Sequence, residues 1–368
     1  MDITKERVVE ILQGVIHPSS KRSIVDMGLV KNLQIENNRL SFSLSFDKVN
    51  DPLKSSIQKA CVQTLTEEFG NDIQIDVKVL TNLKMNTGKK PSVLPQVKNI
   101  VAVASGKGGV GKSTIAVNMA VAFAKTGAKV GLIDADIFGP SIPKMMGAEN
   151  ERPTVENING KDLLVPLERY GVKILSIGFF VDPQDATIWR GPMASNALQQ
   201  LMTDANWGEL DYLFVDLPPG TSDIHLTLVQ TVSVTGTIIV STPQDVALAD
   251  VIKGINMFRN KTINVPVFGI VENMSWFTPE ELPENKYYIF GKGGCENLAK
   301  QMNVELLGQI PIVQSIRESS DAGEPVVLKN NPASEALKHT AEKLRIAIIK
   351  RNTEQKPTEK VEITRQKI

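Results

Sequence analysis

The sequence predicts an α/β fold: a mostly parallel sheet covered by helices on both faces, preceded by a small α+β domain. Three observations predict it. Six apolar, strand-like runs follow residue 98, with helical patterns between most of them. The first of those runs leads directly into GKGGVGKST, and the residues before the runs read in the order α-β-β-α-β. Strands that alternate with helices pair in parallel, because each helix crosses back over the sheet and covers one of its faces.

The small domain is expected over residues 1–84. Ile3, Val8, Ile11, Leu12 and Val15 fall at helical spacing, and LVKNLQIE and RLSFSLSF then form two strands about an Asn37-Asn38 turn. Asp51 as N-cap and Pro52 at the first helical position open a second helix, which runs to about Phe69 and stops at Gly70. DIQIDVKVL alternates as a third strand. Residues 85–98, MNTGKKPSVLPQVK, combine two prolines, a glycine and lysines without a sustained period and read as a linker. The large domain is expected over residues 99–350, with strands at NIVAVAS, KVGLID, VKILSIG, DYLFVD, GTIIVST and VPVFGIV. Residues 351–368 are polar and are expected to be a disordered tail.

Composition narrows the class. The 368 residues are 42% hydrophobic, enough for a sizeable core, and 41 Lys plus Arg balance 41 Asp plus Glu. A net charge of zero supplies no global field toward nucleic acid or acidic lipid, so neither is expected as a partner. No apolar run approaches the ~18 residues that read as a membrane span. The N-terminal MDITKERVVEILQGV lacks the apolar centre of a signal peptide, and the two cysteines, Cys61 and Cys295, suit a reducing compartment. The expectation is a cytoplasmic protein.

The pattern G-x-x-x-x-G-K-[ST] is met by Gly106, Gly111, Lys112 and Ser113, after a strand and before the helical STIAVNMAVAFAK. Glycines let the backbone curl so that N–H groups point inward, and a helix N-terminus adds positive potential. The whole of Gly106–Thr114, with Lys107, Gly108, Gly109 and Val110 inside it, is therefore a candidate cradle for the phosphates of ATP. Lys112 would reach the β and γ phosphates, and Ser113 would ligate Mg²⁺. KVGLIDAD ends a strand with Asp134 and Asp136, and DYLFVDLPPGTSD ends another with Asp216, where ligands meet the carboxyl ends of parallel strands. Asp216 would hold a water on Mg²⁺, and Asp134 would support the ion or its waters. The competing reading for each aspartate is a helix N-cap, which is preferred for Asp223.

The second lysine of the loop, Lys107, makes it resemble the deviant Walker A loop of the MinD/ParA/nitrogenase-iron-protein group. That resemblance implies slow ATP hydrolysis by a homodimer in which Lys107 reaches the partner's nucleotide, and it implies that Asp136 orients the attacking water. DADIFGPSIPKMMG, WRGPMASNALQQLM, DYLFVDLPPGTSDIHLTL, TPQDVALADVIKGINMF and GIVENMSWF are similar to the Mrp/ApbC-type ATPases. Over about residues 99–350 the similarity implies an iron–sulfur cluster carrier or assembly factor that serves apoproteins. The first domain resembles the small SufT-like domain fused ahead of such ATPases, with His17-Pro18-Ser19 in place of the usual Asp-Pro-Glu. Asn273, in the ENM after a strand, sits where related proteins contact adenine; a plain strand-end turn is the alternative.

One departure stands out. Mrp/ApbC proteins usually carry Cys-x-x-Cys shortly after ENMS, and this chain reads ENMSWFTPEELPENKYYIFGKGGCENLA instead. Cys295 is then either a small packing residue or, beside Gly293-Gly294, an accessible cluster ligand shared across a dimer. Cys61 lies in an amphipathic helix and reads as core, and His17, His225 and His339 have no ligand spacing with either cysteine. Trp276, Phe277, Tyr287, Tyr288 and Phe290 crowd one Pro-broken stretch, as a partner surface or as cover for a sheet edge. Two other functions compete with the carrier: an ATP-gated adaptor in metalloprotein maturation that holds no cluster, and a MinD/ParA-like positioning ATPase.

Overall fold

The computed structural model describes residues 3–36, 39–46, 53–70, 73–81, 93–137, 139–158, 160–180, 191–279, 281–282 and 284–361. The chain divides into two compact units, residues 1–90 with 345–357, and residues 91–344 with 358–368.

The first unit contains α1 (Lys5–Gln13), β1 (Val30–Glu36), β2 (Arg39–Phe46), α2 (Lys54–Phe69) and β3 (Gln74–Thr81), the order expected. Thr4 caps α1 by accepting from the Arg7 N–H at 3.3 Å. β1 runs antiparallel to β2, and β2 runs parallel to β3. Val8 and Leu12 of α1, Ile57, Cys61 and Leu65 of α2, and Leu40, Phe42 and Leu44 of β2 share one core. The Asn37-Asn38 turn and the Asp51-Pro52 helix start lie outside the described residues, and Leu53 stands at the N-cap of α2.

In the second unit β4 (Val97–Ser105), α3 (Lys112–Lys125), β5 (Val130–Asp134) and α4 (Ile142–Met145) come first. The hairpin β6 (Thr154–Ile158) and β7 (Lys161–Val165) follows, then β8 (Leu167–Arg169), β9 (Val172–Ser176) and α5 (Gly191–Thr203). The chain continues through β10 (Leu210–Asp216), α6 (Asp223–Thr231), β11 (Gly236–Ser241), α7 (Asp245–Arg259), β12 (Val267–Phe277), α8 (Gly294–Met302), β13 (Glu305–Ile312) and α9 (Gln314–Asp321). The last helix, α10, spans Pro332–Glu354.

The eight strands of the main sheet lie in the order β13-β12-β11-β4-β10-β5-β9-β8. Every neighbouring pair is parallel except β8 with β9. All six expected strands are present, with β8 and β13 added at the edges. β5, β10 and β11 are buried along their whole length, which is why they read as continuous apolar runs and not as alternation. β4, β10 and β5 are adjacent, so the glycine loop, Asp216 and Asp134 arrive at the same end of the sheet. Asp216 is in register with Asp134, and Asp134 with Ser176.

The C-terminal expectation needs correction. α10 continues to Glu354, and its residues from 345 onward count with the first unit, where Ile349 joins the core and Arg345 pairs with Asp26. Beyond the helix, Thr358 Oγ1 donates to Val234 O at 2.6 Å, and the Val361 N–H donates to Val229 O at 3.0 Å. A polar run is thus ordered through residue 361 by backbone bonds and one buried valine, which leave no periodicity to read. Residues 362–368 and most of the expected linker lie outside the described residues.

Candidate functional site

The glycine loop follows β4 and ends at Gly111, whose φ of +82° is a left-handed conformation that side chains disfavour. The Ile115 N–H then bonds to Gly111 O at 3.1 Å and starts α3. Gly106 is required for another reason: a Cβ there would come within 2.6 Å of the Asp250 backbone, because α7 packs directly against the loop. The loop opens into a cavity of about 240 Å³, lined among others by Lys107, Gly108, Lys112, Ser113, Asp136 and Pro219. Pockets that enclose a whole small ligand start at roughly 300 Å³, so this one matches a polyphosphate more closely than a complete nucleotide.

Lys112 is only 6% exposed. Its Nζ donates to Asp216 Oδ1 at 2.7 Å and stands 3.5 Å from Asp136 Oδ2. Ser113 Oγ donates to Asp216 Oδ2 at 2.5 Å. Burial pushes the fully buried Asp216 carboxyl up, and Lys112 and Ser113 oppose that shift. Lys107 is exposed at the rim of the cavity, and the Ser105 hydroxyl donates to its carbonyl oxygen at 2.9 Å. The structure therefore brings Lys107, Lys112, Ser113, Asp136 and Asp216 together. Ser113, which lines the cavity, and Asp216, bonded to it from the buried side, offer hard oxygens that suit Mg²⁺, an ion that takes few protein ligands and keeps waters and phosphate oxygens.

Asp134 is held by hydrogen bonds at the end of β5. It is wholly buried and accepts from the Ser176 hydroxyl at 2.9 Å and from the N–H groups of Asp136 and Ile142, both at 3.2 Å. Burial and the neighbouring Asp216 raise it to about 7. Its carboxyl oxygens thus tie the backbone at Asp136 and at Ile142 to the end of β5. Ser176, its hydroxyl partner, went unrecognised in the sequence because only strand pairing brings the two together.

Asn273, in β12, donates from Nδ2 to Val110 O of the glycine loop at 2.9 Å. At α6, Ser222 and not Asp223 is the N-cap, in a reciprocal arrangement with His225. Burial pushes that histidine down to about 4, so its ring stays neutral and Nδ1 accepts from the Ser222 N–H.

Cys295 is fully buried. Its N–H donates to Glu272 Oε2 at 3.1 Å, its Sγ lies 3.7 Å from Thr242 O, and burial together with Glu272 raises the thiol. The accessibility expected from Gly293-Gly294 is absent, because Gly294 packs against Pro243 O and the Leu248 side chain. Cys61 is buried too, its thiol pushed up to about 12 by burial. Among the described residues no three His, Cys, Asp or Glu side chains are placed to hold a metal ion. In the aromatic stretch Phe277 and Tyr287 pair as antiparallel strand residues, and Lys286 stacks over Trp276 at 4.1 Å. Leu282, Tyr287, Tyr288 and Ile289 are exposed. Among the described residues no helix is long and apolar enough to cross a membrane.

Comparison with known proteins gives the chain's family. Residues 96–345 match the family described as NUBPL iron-transfer P-loop NTPase, and residues 5–77 match one described as iron-sulfur cluster assembly protein. The iron-sulfur cluster carrier protein of Synechocystis is 42% identical, over 92% of this chain and 96% of its own. That of Escherichia coli K12 is 44% identical over 89% and 87%. The iron-sulfur cluster transfer protein NUBPL of Dictyostelium discoideum is 50% identical over 65% and 73%. A nucleotide-binding protein from Archaeoglobus fulgidus, solved in complex with ADP, superposes with a TM-score of 0.56 at 38% identity, covering 64% of this chain and 91% of its own. With the glycine loop, the acidic strand ends and the N-terminal unit all matched in one chain, this protein belongs to the NUBPL iron-transfer P-loop NTPase family.

Proposed function

We propose that the chain is a slow, Mg²⁺-dependent ATPase that works as a homodimer and delivers iron–sulfur clusters to apoproteins. The observation that carries the reading is that Lys112 and Ser113, both bonded to the buried Asp216, line the same cavity as Lys107 and Asp136. Backbone N–H groups of the loop and the N-terminus of α3 bind the phosphates, and Lys112 offsets the charge that develops on the γ-phosphoryl oxygens. Ser113, with Asp216 acting through water, would hold Mg²⁺, whose charge polarises the β and γ phosphates. Asp136 orients the attacking water, fixed in place by the Asp134 carboxylate behind it. Lys107 adds a cation at the rim, positioned to serve the nucleotide of a second copy.

That last role has a direct test. Light scattering of the full chain with a non-hydrolysable ATP analogue is expected to show a dimer, and Lys107→Ala is expected to remain monomeric and lose about 10³-fold in turnover, the scale of a missing trans-acting cation. A Lys107→Ala protein that dimerises and hydrolyses normally contradicts the reading.

Burial of both cysteines favours a second reading, an ATP-gated maturation adaptor that directs clusters without holding one. Iron and acid-labile sulfide after anaerobic reconstitution separate the two: near-stoichiometric cluster marks the carrier, and none marks the adaptor.

A further inference from the structure

The phosphate-sized cavity is walled by three adjacent strand ends. The glycine loop follows β4, Pro219 follows β10, and Asp136, Gly139, Ser141 and Met145 follow β5, in the sheet order β4-β10-β5. Lys112 Nζ, 3.5 Å from Asp136 Oδ2, joins the first wall to the third. Asp136 is assigned to the attacking water, and Ser141 is the other polar side chain of that third wall.

The Ser141 hydroxyl is not spent on the fold. A serine that precedes a helical turn ordinarily accepts from the second or third N–H of that turn. Here the second residue is Pro143, which has no N–H, and the first N–H, that of Ile142, is taken by Asp134 Oδ2 at 3.2 Å. Ser141 makes no side-chain cap bond, and its hydroxyl has no hydrogen-bond partner among the described residues. The turn also sets its direction: Ser141 and Met145 are four apart, share a face and both line the cavity, while Ile142, Pro143 and Met146 are buried. The backbone beneath is pinned at both ends. A Cβ built on Gly178 would lie 2.9 Å from Pro140 Cβ, and one built on Gly323 would lie 2.5 Å from Gly147 Cα, so neighbouring segments press closely on residues 140–147.

We propose that the Ser141 hydroxyl donates to the γ-phosphoryl group and so makes the site discriminate ATP from ADP. The inference rests on the ATPase reading above. The loop N–H groups and the start of α3 serve whichever phosphates enter the curl, and they hold di- and triphosphate alike. Ser141 shares its wall with Asp136, which stands beside the Lys112 ammonium, the group that in this motif reaches the β and γ phosphates. A donor on that wall meets an oxygen only when the third phosphate is present. Because the backbone already holds the hydroxyl in place, its bond to a charged oxygen forms at little ordering cost and is worth about ten- to hundredfold in affinity.

The test compares full-length Ser141→Ala and Ser141→Thr with wild type. For each, binding of a non-hydrolysable ATP analogue and of ADP is measured with Mg²⁺ present, together with the melting temperature. Ser141→Ala is expected to bind the analogue about tenfold more weakly or worse, to bind ADP within about twofold of wild type, and to melt like wild type. Ser141→Thr keeps the hydroxyl and is expected to restore the preference for the triphosphate. Equal losses for the analogue and ADP would overturn the proposal, since a loop that is merely distorted weakens both. So would an unchanged affinity for the analogue, a Ser141→Thr protein as weak as Ser141→Ala, or a lowered melting point in Ser141→Ala, which would return the hydroxyl to the fold. Wild-type hydrolysis of ATP, measured alongside, reports on the ATPase reading itself, whereas the Ser141 assignment fails on the ratio of analogue to ADP affinity.

Discussion

Replacing Lys112 by alanine will reduce ATP turnover by about 10³-fold or more and will also destabilise the fold. The catalytic loss follows from removing the cation closest to the transferred phosphoryl group, an effect worth about 3–4 kcal/mol for a single preorganised donor and more for a charged one. The stability loss follows from geometry: Lys112 Nζ is 2.7 Å from Asp216, whose side chain is fully buried. Removing one partner of a buried pair costs about 3–5 kcal/mol, because the remaining charge has no compensation. Melting is then expected to fall by roughly 5–10 °C at pH 8. Without Lys112 the folded Asp216 carboxyl stands above its unfolded value, so the folded state binds more protons than the unfolded one. Stability of the variant should therefore recover as pH falls from 8 toward 5. Adding Asp216→Ala should restore part of the melting temperature but none of the activity. A single variant that melts like wild type would show that the pair contributes nothing.

Asp136→Asn should lower kcat by about 10²–10³-fold while changing nucleotide affinity less than about threefold, the pattern of a group that acts on the attacking water and not on binding. The substitution keeps the shape of the side chain and leaves Lys112 its stronger partner, Asp216. Phosphate release under saturating ATP, beside binding of a fluorescent ATP analogue, measures both quantities. A kcat within threefold of wild type would remove Asp136 from the mechanism. Asp134→Ala should differ in kind. It strips the acceptor from the Asp136 and Ile142 N–H groups and from the Ser176 hydroxyl, so loop order and stability should fall along with kcat.

The parts of this site that were legible in the sequence are those whose chemistry is local. GKGGVGKST carries its own curl and helix start, and KVGLIDAD and DYLFVD end on acids at the rim of buried strands. Residues that are harder to read owe their contacts to what lies across space. Asp134 and Asp136 are the same residue type two positions apart, yet one accepts three hydrogen bonds in the core and the other lines the cavity. Cys295 follows two glycines, which suggests exposure in sequence, but Pro243 and Leu248 close over that turn. Asn273 bonds to a carbonyl of the loop, a contact that only the fold reveals.

The fold divides the same way. β13 is hard to read in the sequence because Gly308 and Pro311 interrupt its pattern, and Gly308 is set by Thr340, whose Oγ1 would lie 1.9 Å from a Cβ there. The β6–β7 hairpin left a signal that could have found it, the Asn159-Gly160 pair between two five-residue strands, although its mostly exposed residues give no apolar alternation.

The central claim is that ATP at this loop drives iron–sulfur cluster transfer. The most direct measurement is the anaerobic rate at which an apoprotein acceptor gains a [4Fe–4S] cluster from iron and sulfide, with the full chain present and ATP added or withheld. The account predicts transfer several-fold faster with chain and ATP than with iron and sulfide alone, and no acceleration with Lys112→Ala. An acceptor that fills at the same rate with and without the chain, while the chain hydrolyses ATP normally, would contradict it.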